Sequence, residues 1–155
     1  MKMKIATGLI LSAVTVAAFP GPIEDQIKTR QSAYSFLGWN TQRIKAQVSD
    51  HPETYNKEQV IFAANVIAAI ANSPLLDLYA PGSDQGTGWK PSHLKADYFQ
   101  KQDEIKKLND NFVKEATALQ SIAALGEIGE IKAQFGKVGA TCKSCHDQIR
   151  VRDPG

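Results

Sequence analysis

The feature that most constrains this chain is the spacing of its only two cysteines, Cys142 and Cys145, with His146 directly after the second. CxxCH is the attachment motif of a c-type haem. Both thiols add to one macrocycle, so they must come from one short segment, and the residue that follows is carried beneath the iron. The motif therefore predicts one haem c held by two thioether bonds, with His146 as an axial iron ligand.

Other uses of the cysteines stay open at this point. A disulfide or a redox-active CxxC pair would fit the spacing, but a thioredoxin-like motif follows a strand in a βαβ context, and no such pattern lies near residue 142. A zinc site would need distant His51 or His93 to complete its four ligands. Haem attachment is therefore the preferred interpretation.

The first residues have the pattern of an export signal. Lys2 and Lys4 precede an apolar run from Ile5 to Ala18, and its end, Val16-Ala17-Ala18, fits a small-residue cleavage site. The run is too short for a membrane span. We expect residues 1–18 to be a cleaved signal peptide and residues 19–155 to be a single domain in a bacterial periplasm, without a stable membrane anchor.

Charge and methionine content exclude two classes of function. Without Lys2 and Lys4, the 18 basic residues fall to 16, which equals the number of acidic residues. Nucleic-acid-binding domains need a basic surface, so no nucleic-acid partner is expected. Met1 and Met3 are the only two methionines. The mature chain therefore has no methionine ligand, which excludes an electron-transfer cytochrome with His/Met iron.

Apolar periodicity predicts four amphipathic helices, at about 23–48, 55 or 57 to 72, 95–124 and 128–149. Ser73 is expected to cap a short turn through Leu78, and Gly126 to end the third helix. In the fourth helix the apolar steps alternate between three and four, which places both cysteines on the core-facing side. The prediction is an all-α, antiparallel four-helix bundle with covalently bound haem.

Several residues stand out from these patterns. Arg30 and Gln31 interrupt the apolar stripe of the first helix one turn before Tyr34, and either lean out to solvent or meet a polar partner. Gly38 is interpreted as a point of close packing. Residues 80–94 form a long loop rich in Pro, Gly and Ser, in which we interpret Trp89 as a hydrophobic lid over the core. His93 and His51 are weaker candidates for iron ligands.

At this point the sequence resembles the cytochrome c′ family, the high-spin class of c-type cytochromes. The resemblance covers nearly the whole mature chain, and the haem motif lies near the C-terminus, whereas class I cytochromes carry it near the N-terminus. The stretches that carry the resemblance are RQSAY at 30–34, GWN at 38–40, AANVIAAIANS at 63–73, YAPG at 79–82 and FGKVGAT at 135–141, followed by CKSCH and Arg150.

The resemblance implies a role for each of these site residues. Cys142 and Cys145 would bind the haem, His146 would be the proximal ligand, and Arg150 would lie on the proximal side. Tyr34 falls at the family's distal position, above the open face of the iron. Arg30 and Gln31 would face the haem edge and its propionates, where Arg and carboxylate form a charge-assisted pair. Homodimers packed through the first two helices are also implied.

The expected function is gas binding by five-coordinate, high-spin iron, with NO and CO as ligands and NO sequestration as a role. The alternative is a one-electron carrier in periplasmic electron transport, which a low-spin bis-histidine spectrum would favour. A catalytic haem enzyme is a third interpretation, but the sequence has no visible set of acid–base residues for it. The chain is therefore predicted not to be an enzyme, and its redox partner stays unknown.

Overall fold

The computed structural model describes residues 22–151, so the expected signal peptide lies outside the described residues. It contains four α-helices, and β structure within residues 22–151 is limited to isolated bridges. The all-α four-helix bundle is confirmed. No helix in this part of the chain is long and apolar enough to span a membrane. The helices are α1 (Ile23–Lys45), α2 (Lys57–Ala71), α3 (Gln102–Leu125) and α4 (Ile128–Ile149).

Local sequence explains where the helices begin and end. The Asn56 side chain caps α2 by accepting a hydrogen bond from Gln59 N at 3.0 Å. Gly126 ends α3 in the left-handed region at φ 83°, as expected, because a residue with a Cβ is disfavoured there. Between α1 and α2 the chain passes through a π-helical turn, Ala46–Asp50, and a 3₁₀ turn, Pro52–Thr54.

Two details of the sequence prediction are wrong. The third helix does not run unbroken from residue 95, because a 3₁₀ turn at Ala96–Gln100 precedes α3 and is separated from it by Lys101. Ser73 does not cap the short helix Leu75–Leu78, whose N-cap is Pro74. The Ser73 hydroxyl instead donates to Ile70 O at 2.6 Å, so it closes the end of α2.

The main apolar core fills one end of the bundle and joins all four helices. Ile44 of α1, Ile67 of α2, Leu119 of α3 and Ile131 of α4 are each 0% exposed. Burying each such side chain contributes about 1.5–3 kcal/mol to folding. A second, smaller cluster contains Leu94, Tyr98, Ile105 and Ile149, with Tyr79 and Cys145 packed against it.

α1 and α4 are separated at the end of the bundle that holds the haem motif. Neighbouring helices pack along their lengths, α1 on α2, α2 on α3 and α3 on α4, whereas α1 and α4 make few direct contacts. α4 instead contacts the π-helical turn that follows α1. The separation of the first and last helices leaves an interior space, and the loop between the short helix Leu75–Leu78 and the turn Ala96–Gln100 lies beside it.

Candidate functional site

A cavity of about 750 Å³ lies between α1 and α4, with the 89–94 segment along one side. Its volume is within the range of pockets that enclose small molecules and cofactors. All seven residues proposed from the sequence line this one cavity, namely Arg30, Gln31, Tyr34, Cys142, Cys145, His146 and Arg150. The structure therefore brings together side chains that lie more than a hundred residues apart.

The haem motif occupies the last turns of α4. Cys142 and Cys145 lie on the cavity side and are not bonded to each other. Burial raises the pKa of both thiols, that of Cys145 to about 11. Desolvation, with a smaller contribution from Arg150, lowers the pKa of His146. At neutral pH the imidazole is therefore uncharged, with a nitrogen lone pair available to a metal.

The remaining lining is suited to a flat, largely apolar group. Leu37, Ile105, Phe112 and Ile149 contribute apolar side chains. Gly38 also lines the cavity, and a Cβ added there would meet nothing within 4 Å. The expectation that Gly38 marks close packing is therefore wrong, because its missing side chain leaves open space. Two thiols, one imidazole and this apolar space fit a covalently held haem.

Arg30 is buried, 7% exposed, and its guanidinium holds the start and end of the long loop together. Nη1 donates to Leu78 O at 3.2 Å and to Ser83 Oγ at 3.0 Å. Nη2 donates to Ser83 O at 2.9 Å and to Ser92 Oγ at 3.1 Å. The polar residue in the apolar stripe thus has protein partners, so it does not lean out to solvent. Burial lowers the pKa of Arg30.

Gln31 holds the middle of the same loop. Its amide nitrogen donates to Lys90 O at 2.8 Å, and its amide oxygen accepts from the backbone N–H groups of Trp89 and Lys90 at 2.7 and 3.1 Å. Trp89 is 70% exposed and its indole N–H donates to Ser32 Oγ at 2.8 Å. The interpretation of Trp89 as a lid over the apolar core is therefore wrong, because its indole bonds to the outer side of α1; Trp89 lies instead at the edge of the cavity.

The sequence reasoning missed two of the three tyrosines that line the cavity. Tyr79 donates a hydrogen bond from its hydroxyl to the Tyr34 hydroxyl at 3.1 Å, and its ring stacks on Tyr98 at 4.8 Å between centroids. Burial is the largest cause that raises the pKa of each of these tyrosines. In the sequence, Tyr79 belongs only to the YAPG stretch and Tyr98 only to the predicted third helix, and neither pattern signals a polar role.

The other histidines differ in position. His93 lines the cavity, whereas His51 is in the turn after α1, where its Nδ1 lies 3.3 Å from Glu53 Oε1. Within residues 22–151 no three His, Cys, Asp or Glu side chains are grouped as a metal site would need. The zinc alternative therefore has no donor set in this part of the chain.

The segment after the haem motif pairs with the end of the long loop. An isolated bridge joins Leu94 to Arg150. Lys95 N donates to Ile149 O at 2.8 Å, and Val151 N donates to His93 O at 2.8 Å. The loop is therefore attached to α1 through Arg30 and Gln31, and to the end of α4 through this bridge.

Fold and site together define a class of protein: a four-helix bundle whose last helix carries a CxxCH motif on the lining of an interior cavity. A family model described as Cytochrome C′ matches residues 25–150. Cytochrome c′ of Rhodocyclus tenuis is 48% identical over 134 residues, which cover 86% of this chain and 99% of the relative. The chain belongs to the cytochrome c′ family.

Solved structures agree with this assignment. A cytochrome c′ whose structure was described with an unusual ligand-controlled dimer dissociation has a TM-score of 0.80 at 44% identity, covering 86% of this chain and 100% of that one. The nitric oxide complex of a cytochrome c′ mutant from Alcaligenes xylosoxidans has a TM-score of 0.74 at 25% identity, covering 85% and 98%. The family is one of haem c proteins, and the two cysteines described above are consistent with covalent attachment.

Proposed function

We propose that this protein is a periplasmic haem c protein with five-coordinate, high-spin iron that binds nitric oxide and carbon monoxide, and that it sequesters NO. The observation that carries the proposal is that Cys142, Cys145, His146 and Tyr34 line one cavity. The thiols and the imidazole come from α4, and Tyr34 comes from α1. One cofactor would be held through Cys142 and Cys145, with His146 as its axial ligand.

Haem iron, when bound, supplies a coordination position for a neutral diatomic molecule. The chain's own residues determine what reaches it. Neutral His146 supplies one nitrogen, and both methionines of the sequence lie in its first three residues, so none comes from α1 or the loop. The apolar lining favours neutral ligands, because an ion would lose its hydration on entry. Arg30, Gln31 and Arg150 are proposed to meet the edge and the proximal side of the cofactor.

The nitric oxide complex of the Alcaligenes xylosoxidans relative supports the choice of ligand. A catalytic role is not proposed, because the thiols of Cys142 and Cys145 and the imidazole of His146 are assigned to the cofactor. The alternative function is one-electron transfer, and the position of His93 on the cavity lining favours it. If His93 bound the iron opposite His146, the coordination would be low-spin and closed to gases.

An absorption and EPR spectrum of the isolated protein separates these functions. We expect a high-spin spectrum and a spectral change when the ferrous protein meets CO or NO. His93→Ala should leave the spectrum high-spin, as should the control His51→Ala, whose side chain pairs with Glu53 away from the cavity. A low-spin spectrum that becomes high-spin only in His93→Ala would replace gas binding with electron transfer.

We also propose that the protein forms a homodimer through the outer faces of α1 and α2. Phe36 and Trp39 are 49% and 53% exposed and stack with 5.9 Å between ring centroids, and Phe62 of α2 is 57% exposed. Exposed apolar patches of this kind mark association surfaces. Sedimentation should show that Phe62→Glu dissociates the dimer, whereas Leu125→Glu, at a 67% exposed position outside the patch, should leave it intact. Equal behaviour of both variants would reject this interface.

The cellular location follows from the expected signal. We propose that residues 1–18 direct export to the periplasm and are removed, which leaves residues 19–155 as the mature domain. Mass spectrometry of the protein purified from a periplasmic extract should give the mass of residues 19–155 plus one haem. A mass that retains residues 1–18, or that lacks the haem, would contradict the proposal.

A further inference from the structure

The ring of Tyr79 is packed against two neighbouring side chains. One face of its ring stacks on Tyr98, with centroids 4.8 Å apart and 14° between planes. The guanidinium carbon of Arg30 lies 4.4 Å from the same ring's centroid. Tyr98 is itself 2% exposed, and Arg30 is held by its four bonds to the loop. Tyr79 therefore has little freedom to move its hydroxyl.

That hydroxyl reaches one specific target. Tyr79 donates to the hydroxyl of Tyr34, across 3.1 Å. The two tyrosines come from different parts of the chain, Tyr34 from the middle of α1 and Tyr79 from the end of the short helix Leu75–Leu78. A hydrogen bond between them therefore links the Tyr34 side chain to a partner whose ring is packed against Tyr98 and Arg30.

Which of the two hydroxyls donates across this contact determines what Tyr34 can do. A phenol hydroxyl carries one proton and also accepts hydrogen bonds. With Tyr79 as the donor across the 3.1 Å contact, the proton of Tyr34 remains available to another acceptor. Tyr34 lines the cavity, so a polar atom of a ligand in the cavity can be that acceptor. If Tyr79 did not supply the bond, the Tyr34 hydroxyl would have to turn toward another partner to avoid an unsatisfied buried position.

We propose that Tyr79 is a positioning residue that holds the Tyr34 hydroxyl as a hydrogen-bond donor toward a diatomic ligand in the cavity. The inference rests on the proposed gas-binding function and adds to it a residue that sets ligand retention. Tyr79 also lines the cavity, but in this proposal it acts on the ligand through Tyr34. Removing the Tyr79 hydroxyl should therefore weaken retention only while Tyr34 still has a hydroxyl to position.

The test uses the holoprotein with Tyr34→Phe, Tyr79→Phe and the double variant. Tyr79→Phe keeps the aromatic ring between Arg30 and Tyr98, so the packing survives. The matched control is Tyr55→Phe, which also removes one hydroxyl bond of 3.1 Å, to Gly126 O, at a site outside the cavity. Two properties are measured on the ferrous CO complex: the CO dissociation rate and the C–O stretching frequency.

A neutral hydrogen bond to the ligand predicts an increase of about fivefold in the CO dissociation rate for Tyr34→Phe. Tyr79→Phe should give at least half of that effect on a logarithmic scale, and the double variant should dissociate CO no faster than Tyr34→Phe alone. The stretching frequency should rise in Tyr34→Phe, because a donor no longer polarises the ligand, and should rise or split in Tyr79→Phe. Tyr55→Phe should match the wild type in both measurements.

Two results would overturn the inference alone. One is a Tyr79→Phe protein that matches Tyr55→Phe in both dissociation rate and frequency. The other is a Tyr79→Phe effect that persists in full when Tyr34 is already Phe, because Tyr79 would then act independently. A wild-type ferrous protein that binds no CO would overturn the proposed function together with the inference, so the two failures are distinguishable.

Discussion

Replacing Arg30 should destabilise the protein more than any substitution on the exposed face of α1. Its guanidinium makes four hydrogen bonds of 2.9 to 3.2 Å to the loop while only 7% exposed. Lysine keeps the charge, but its ammonium is a single point and cannot span acceptors that meet two separate nitrogens. At about 1 kcal/mol per lost bond, and with two bonds lost, Arg30→Lys should lower the free energy of unfolding by about 2 kcal/mol.

Arg30→Met should have a larger effect. It removes all four bonds and the contact with Tyr79, and it takes the Arg30 donor from the hydroxyl oxygen of Ser83, which is 0% exposed. Ser83 O still accepts from Ser92 Oγ at 2.7 Å. Gains from no longer burying a charge offset part of this, so the expected loss is about 3–5 kcal/mol. Urea unfolding of the holoprotein followed by circular dichroism gives the free energies, and an unchanged m-value shows that the comparison is valid.

Arg43→Lys is the matched control, since Arg43 is on the same helix and its guanidinium carbon lies 4.7 Å from the centroid of exposed Trp39. Its unfolding free energy should change by less than about 0.5 kcal/mol. If Arg30→Lys and Arg43→Lys are equally stable within error, the loop does not depend on the buried guanidinium, and the reasoning is refuted.

Three further predictions concern the loop and the buried phenols. Gly88→Ala should lower the free energy of unfolding, measured in urea, by about 1–3 kcal/mol, because a Cβ there would lie 2.8 Å from Lys28 N. The control Gly136→Ala, where a Cβ would meet nothing within 4 Å, should raise the free energy of unfolding by about 1 kcal/mol. Equal effects of the two substitutions would contradict this prediction. Gln31→Ala should speed amide hydrogen exchange at residues 89–90 about tenfold, because it removes the bonds of Gln31 to Trp89 and Lys90. The control is Gln42→Ala, at an exposed position of α1. Equal protection in the two variants would show that the bonds of Gln31 do not hold the loop. All four tyrosines have a pKa raised above that of the unfolded chain, chiefly by burial, so the unfolded state loses protons first and stability should fall as pH rises above about 10. A urea midpoint that stays constant from pH 9 to 11 would contradict this last prediction.

The helices could be predicted where one physical signal determined them. α4 runs from Ile128 to Ile149, as its three–four spacing predicts, and Gly126 ends α3 because only glycine adopts the left-handed region readily. The break at Lys101 escaped prediction for a physical reason. Tyr98 and Ile105 are both buried on either side of it, so the apolar spacing continues across a change from 3₁₀ to α geometry.

The site could be predicted only in part. CxxCH and the resemblance identified residues that the structure places around one cavity. The partners of Arg30 include carbonyl groups of the loop, which every residue carries, so no sequence pattern singles them out. The pairing of Tyr34 with Tyr79 depends on how a long loop folds back onto α1, and the sequence records no distance between them. The exposure of Trp89 was missed because its indole bonds to a serine on the outer side of the helix.

The separation of α1 from α4 has a consequence for how the molecule is made. Residues 30–41 line one side of the cavity and residues 141–150 the other, so the enclosure exists only after the last described helix has been synthesised and docked. Until then Cys142 and Cys145 lie on a segment that the cavity does not yet enclose. The topology therefore sets an order of assembly, because the cavity cannot form before α4 has docked against the rest of the bundle.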